Sequence, residues 1–321
     1  MSVTQPTGSS IPIEIKPFED LETTAQGDQR AWVNLKSLDT LWFNTGTLCN
    51  LTCANCYIES SPKNDALVYI TAGEVEAFLD EIDTLGLPTQ EIGQSGGEPF
   101  MNPQILPIID AIVSRGYRLL VLTNAMRPMM KCAEGLNTLN QAHPGLITLR
   151  ISIDHFDPVM HEEERGARSW KPTIMGMEWL SQNGFQIDVA GRTRWGEDEA
   201  TLRAGYAALF DQHNIDIDAH DPTTLVLFPE MDENAPVPEI TTQCWSILGV
   251  NPDDVMCASS RMVVKRKGDE RLSVMACTLL AYDQRFNLGH TLKEALGSVH
   301  LAHPHCAKFC VLGGGSCSAP A

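Results

Sequence analysis

The sequence predicts an α/β fold built on parallel strands, and three observations predict it. From residue 41 onward, short apolar runs alternate with stretches of helical period. Six such runs read as strands before residue 230, and successive strand–helix units imply parallel pairing with right-handed crossovers. The chain has 321 residues, 43% of them hydrophobic, enough to bury the core of about two domains. Six parallel strands fit a partial barrel or an open sheet, and periodicity does not choose between them.

Residues 1–30 are polar and Pro-containing, and read as a loose or surface-lying extension. The first strand lies in "LWFNTG" (41–46). A helix begins at Thr71, whose hydroxyl can cap it, with Glu74 at the reciprocal capping-box position. It leads to the strand and turn "EIGQSGGEP". In "PQILPIIDAIVSRG", Ile105, Leu106, Ile108, Ile109, Ile112 and Val113 form one buried helical stripe that Gly116 stops. "RLLVLTN" (118–124), "ITLRISID" (147–154), "FQIDVAGRT" (185–193) and "TTLVLFPE" (223–230) read as buried strands, with helices near 129–141, 172–183 and 197–212 between them. After the acidic, Pro-rich "PEMDENAPVPEI" the pattern changes. "SRMVVKRKGDERLSVMAC" reads as a hairpin turning at Gly268, which would bring Cys257 and Cys277 to one end. A short helix, "TLKEALGSV", and a terminal cysteine group follow. The expected division is an extension over 1–39, a core over 40–235 and a small module over 240–321.

A formal charge of −18 argues against a nucleic-acid partner, whose backbone calls for clustered Lys and Arg. No apolar run approaches the about 20 residues of a membrane span, and no basic, apolar leader opens the chain. Ten cysteines are too dilute for a disulfide scaffold, and they cluster near 49–56 and 306–317. A reducing cytoplasm is expected, with the cysteines as metal ligands.

In "CNLTCANCY" three thiols, Cys49, Cys53 and Cys56, fall within eight residues directly after a strand. A disulfide needs two sulfurs and a structural zinc site four ligands. Three suit a four-iron cluster with one iron left open. Zinc with a fourth ligand from elsewhere, or a dithiol with Cys49 surplus, are the competing readings.

The segment resembles the CxxxCxxC signature of the radical S-adenosylmethionine (radical SAM) superfamily, including the aromatic residue after the last cysteine. "SGGEP" (95–99) resembles its GGEP motif. "LTNA" (122–125) resembles its third-strand end, with Ala125 where glycine is common. "RISIDHF" (150–156), followed by Arg165-Gly166, resembles its SxD segment. The likeness covers about residues 40–230 and implies a partial (β/α)6 barrel with its site at the C-terminal strand ends. It further implies a [4Fe-4S] cluster on Cys49, Cys53 and Cys56 and S-adenosylmethionine on the open iron. Gly96, Gly97, Glu98 and Pro99 would lie at the methionine amine, Tyr57 near adenine, and Ser152 and Arg165 at ribose or carboxylate, with Asn124 and Asp154 as further candidates. Alternatively, GGEP closes a strand, Ser152 ends one, and Arg165 pairs with the run Glu162-Glu163-Glu164. Arg192 and Arg194 can reach adenine, substrate or solvent.

The C-terminal segment resembles the SPASM/twitch extension of that superfamily, with "NLGHTLKEAL" (287–296) as its middle part. This implies an auxiliary [4Fe-4S] cluster on Cys257, Cys277, Cys306 and Cys310, with Cys317 competing for the last place. Zinc in the same thiols is the alternative. His303 and His305 are read as shaping their loop, and Cys132 as a small buried apolar residue. Cys244 stands apart, and Tyr282, Asp283 and Arg285 are polar neighbours of the second group. The expected activity is reductive cleavage of S-adenosylmethionine by an external electron donor, followed by hydrogen abstraction from a peptide or protein. A small-molecule substrate is the alternative, and an electron carrier the alternative of another class.

Overall fold

A computed structural model describes residues 16–230 and 236–314. In chain order the elements are β1 (Trp32–Val33), β2 (Thr40–Asn44), α1 (Ala72–Leu85), β3 (Glu91–Ser95), α2 (Ile105–Val113), β4 (Arg118–Thr123), α3 (Arg127–Lys131), α4 (Ala133–Ala142) and β5 (Ile147–Ser152). They continue with α5 (Pro158–Arg165), α6 (Trp170–Gln182), β6 (Gln186–Arg192), α7 (Glu199–Gln212), β7 (Leu225–Phe228), α8 (Cys244–Leu248), β8 (Ser260–Val264), β9 (Ser273–Met275) and β10 (Val299–His300).

The six predicted strands are β2 to β7, paired in parallel and in sequence, as a partial (β/α)6 barrel requires. The full sheet runs β7-β6-β5-β4-β3-β2-β8-β9. Both of its faces are buried, which is why the strands read as nearly continuous apolar runs. Leu41, Phe43, Leu119, Val121, Leu149 and Ile151 join the core beneath the helices. The alternate positions Trp42, Leu120 and Met262 join a second core shared with the C-terminal residues. Gly93 makes room for Trp42 inside the barrel: a Cβ there would lie 2.3 Å from the indole.

Thr71 caps α1 as expected. Its hydroxyl accepts from Glu74 N at 3.3 Å, and Glu74 accepts from Thr71 N at 2.8 Å. Replacing Thr71 with alanine is therefore expected to lower unfolding stability by about 1 kcal/mol in a denaturant titration. The hairpin β8/β9 forms with Gly268 at φ +90°, but β8 also pairs in parallel with β2, so the hairpin extends the barrel sheet.

Three expectations differ from the structure. The described part of the N-terminal extension is anchored: β1 pairs with β10, and Arg30, fully buried, pairs with Glu239 at 2.6 Å. The predicted helix in "TLKEALGSV" is only a 3₁₀ turn, Glu294–Leu296. Glu294 folds back to accept from His290 N and Thr291 N, and Gly297 is extended, so no second turn follows. Helix α5 was not expected, although Asp157 caps it and Pro158 stands at its first position. Among the described residues no helix is long and apolar enough to cross a membrane.

Candidate functional site at the C-terminal strand ends

The loop leaving β2 carries Cys49, Cys53 and Cys56, and the backbone around the two glycines after β3 fixes its start. Gly97 N donates to Gly46 O at 2.8 Å and Glu98 N to Leu48 O at 3.1 Å. A Cβ at Gly96 would lie 2.5 Å from Gly46 O, and one at Gly97 2.3 Å from Leu48 O. Glycine here serves close packing against the cysteine loop. With the Gly97 and Glu98 N–H groups engaged, the carbonyl oxygens of this backbone are the groups suited to receive a ligand amine.

One cavity of about 650 Å³, its open mouth included, brings together Cys49, Cys53, Cys56, Tyr57, Gly96, Gly97, Asn124, Ser152 and Arg165. Asn124 Nδ2 donates to Asn50 Oδ1 at 3.0 Å, tying the end of β4 to the cysteine loop. Glu98 and Pro99 do not line this cavity. Glu98 is buried and accepts from Thr123 Oγ1 (2.9 Å), Asn124 N (2.9 Å) and Phe100 N (3.1 Å), joining the ends of β3 and β4. Burial pushes its carboxyl up to about 6 against those hydrogen bonds. Pro99 opens the buried turn Pro99–Met101. Ala125 takes φ +55°, the left-handed region that favours glycine.

Asp154 lies between two guanidinium groups. Arg165 donates to both of its oxygens, and Arg192 Nε lies 3.2 Å from Oδ1. Burial works to raise the Asp154 pKa, but Arg165 and then Arg192 outweigh it and hold the carboxyl below its usual range. Burial pushes the Cys49 thiol up to about 12 and raises Cys53, with Arg165 opposing at both. Metal-free Cys49 and Cys53 are therefore held in the thiol form near neutrality, and metal binding to them would release protons.

A second cavity shares Tyr57, Leu122, Ser152, Arg165 and Arg192 with the first, and continues to Ala190, Phe228, Leu279 and Phe309. Phe228, from the barrel, and Phe309, from the π-helical stretch Cys306–Leu312, stack with centroids 5.5 Å apart. Arg192, left open by sequence, reaches both cavities. Arg194 instead pairs with Glu163 and Glu164.

Among the described residues no cysteine forms a disulfide. Cys257, Cys277 and Cys306 are buried in the second core. Burial, then the neighbouring Cys277 and Cys257, drive the Cys306 thiol well above its ordinary value. Cys310 is half-buried in the same π-helical stretch, and Cys317 lies outside the described residues. His305 N donates to His303 Nδ1 at 3.1 Å, in keeping with a loop-shaping role. Tyr282 Oη donates to Ile58 O at 2.8 Å and Arg285 to Phe18 O at 2.6 Å, tying this module to the cysteine loop and to the N-terminal segment.

Among the described residues no three His, Cys, Asp or Glu side chains form a group able to hold a single metal ion. The N-terminal thiols instead ring a cavity, which fits a multi-iron cluster better than mononuclear zinc. Two of the sulfurs accept backbone hydrogen bonds, from Leu51 N to Cys49 and from Ser60 N to Cys56, both at 3.4 Å.

Residues 43–193 match the radical SAM superfamily. The chain is 33% identical over 143 residues to the antilisterial bacteriocin subtilosin biosynthesis protein AlbA of Bacillus subtilis, a stretch covering 44% of this chain and 30% of AlbA. It is 28% identical over 142 residues to the AdoMet-dependent heme synthase of Methanosarcina barkeri, covering 44% and 38%. These matches span less than half the length of either relative. The fold is similar to that of Streptococcus suis SuiB bound to S-adenosylmethionine, at TM-score 0.58 and 12% identity over 80% of this chain and 64% of SuiB. The cysteine loop, the glycine turn and Arg165 all lie within the matched stretch, so residues 43–193 carry a domain similar to the radical SAM superfamily.

Proposed function

We propose that the chain is an enzyme that cleaves S-adenosylmethionine reductively and oxidises or crosslinks a peptide. The observation that carries this reading is the convergence of Cys49, Cys53 and Cys56 with Ser152 and Arg165 on one cavity of the matched domain. A [4Fe-4S] cluster bound by the three thiols would supply the electron that breaks the sulfonium C–S bond, giving a 5′-deoxyadenosyl radical that takes a hydrogen atom from substrate. The protein holds the reactants and excludes water. Carbonyls near Gly96 and Gly97 receive the methionine amine. Arg165, oriented by Asp154, faces carboxylate or ribose with Ser152, and Tyr57 stands beside adenine.

Substrate is placed in the adjoining chamber between Leu122, Phe228, Leu279 and Phe309. The peptide reading is supported by the likeness to a bacteriocin biosynthesis protein, and by a fold shared with SuiB, which was also solved bound to the precursor peptide SuiA (TM-score 0.57). A small-molecule substrate is the second reading, favoured by the likeness to a heme synthase. The test is anaerobic reconstitution with iron and sulfide, reduction, and addition of S-adenosylmethionine. 5′-Deoxyadenosine is expected, and its absence would leave an electron carrier.

Cys257, Cys277 and Cys306, with Cys310 or Cys317, are assigned to an auxiliary cluster. The Cys277→Ala variant is expected to retain abortive 5′-deoxyadenosine formation but to lose substrate turnover. Product yield equal to wild type would remove that role, and zinc in place of iron by elemental analysis would change the metal.

A further inference from the structure

Glu164 closes α5 immediately before Arg165, in an acidic run whose plainest reading is a solvated face. The structure places it elsewhere: its side chain is fully buried against the cysteine loop. Glu164 Oε1 accepts from Asn55 N at 2.8 Å, and Oε2 accepts from Asn55 Nδ2 at 3.1 Å. The main-chain oxygen of Glu164 accepts from Ala54 N at 2.8 Å. Arg192 holds the carbonyl side of the same residue, donating to Asn55 O at 3.0 Å, and Arg194 pairs with Glu164 Oε2 at 2.5 Å. Ala54 and Asn55 are the two residues between Cys53 and Cys56.

We infer that Glu164 is a positioning residue that sets the spacing and direction of the Cys53 and Cys56 sulfurs, and couples the cysteine loop to the Arg165–Asp154 wall. A loop bearing metal ligands needs its backbone fixed by bonds other than those to the metal, because outer partners orient ligands and set affinity. Here one carboxylate meets the loop's main chain and side chain, while the next residue along the helix faces the same cavity. A shift of α5 therefore moves the thiols and Arg165 together. Hydrogen bonds to a charged, buried acceptor are the strong kind, and losing the acceptor strands buried donors. The role in cluster binding rests on the radical SAM reading; the clamp itself does not.

The test compares wild type with Glu164→Ala and Glu164→Gln, using Glu163→Ala as control, since Glu163 is half-exposed and accepts from Arg194 and Trp195 rather than from the cysteine loop among the described residues. In the metal-free protein, amide exchange at Asn55 is expected to quicken by at least about tenfold in Glu164→Ala, the effect of losing one charge-assisted hydrogen bond. Exchange in α1 and α7 stays unchanged. In the reconstituted protein, Glu164→Ala is expected to bind about tenfold less iron at the N-terminal trio. It is also expected to lose the change that S-adenosylmethionine produces in the reduced cluster's electron paramagnetic resonance signal. Glu164→Gln keeps an acceptor for Asn55 N but turns an amide N–H₂ toward Arg194 and Asn55 Nδ2, so partial rescue is expected. It also carries the test should the alanine variant not fold. Unchanged exchange at Asn55 would overturn the clamp. Faster exchange with wild-type iron uptake and a wild-type spectral response would overturn the positioning role. Failure of wild type itself to take up a cluster would remove the radical SAM reading and the positioning role with it, whereas the exchange result would still decide whether the clamp exists.

Discussion

Cys53→Ala is expected to abolish 5′-deoxyadenosine formation and to remove about four irons per chain from the reconstituted protein. The argument begins with the donor set. Three thiols line the cavity, and among the described residues no other His, Cys, Asp or Glu gathers with them into a metal-binding group. A cluster that keeps one iron for substrate has no spare protein ligand, so losing one of three leaves two irons without protein anchors. Cys53 is half-buried, and replacing its sulfur by hydrogen removes little packing. Stability of the metal-free protein is thus expected to change by less than about 1 kcal/mol, which separates loss of the metal from loss of the fold. Retention of both iron and cleavage by this variant would take Cys53 out of the site.

Much of the fold was legible because its signals are local. The apolar runs of β2 to β7, the Thr71–Glu74 box and the Gly268 turn each depend on a few neighbouring residues. What was hidden depends on partners far along the chain. The pairing of β8 with β2 joins Ser260–Val263 to Thr40–Phe43, and nothing in either strand's pattern names the other. Arg30 reads as one more charge in a polar extension, and only Glu239 explains its burial. Helix α5 escaped because "PVMHEEER" has no apolar stripe, although Asp157 and Pro158 announced its start.

The site divides in the same way. Cysteine spacing named Cys49, Cys53 and Cys56, the motif resemblance named Ser152 and Arg165, and all five line one cavity. Motif position named Glu98 without showing that its side chain would join the ends of β3 and β4. Glu164 was masked by its acidic neighbours. A charge run does not show which of its residues turns inward, and the contact with Asn55 joins a helix to a loop that only the folded chain brings together.

Gly97→Ala links fold and site most directly. The added Cβ would meet Leu48 O at 2.3 Å and Thr47 O at 2.7 Å. Both are backbone atoms, so no side-chain rotation relieves the clash, and the strand of chain that leads into Cys49 must move. That movement breaks the hydrogen bonds Gly97 N to Gly46 O and Glu98 N to Leu48 O, which register the cysteine loop against the end of β3. A stability loss of about 2–3 kcal/mol is expected from overpacking and the broken bonds together. Reconstituted iron at the N-terminal trio is expected to fall with it. Gly73, in the first turn of α1, supplies the contrast: a Cβ there meets nothing within 4 Å. Gly73→Ala is expected to stabilise the protein by about 0.5–1 kcal/mol, because alanine removes backbone freedom from the unfolded chain and favours the helix. The same substitution at two glycines thus has opposite signs, measurable in one pair of denaturant titrations. If Gly97→Ala behaved like Gly73→Ala and kept its iron, the cysteine loop would not depend on the glycine turn for its position.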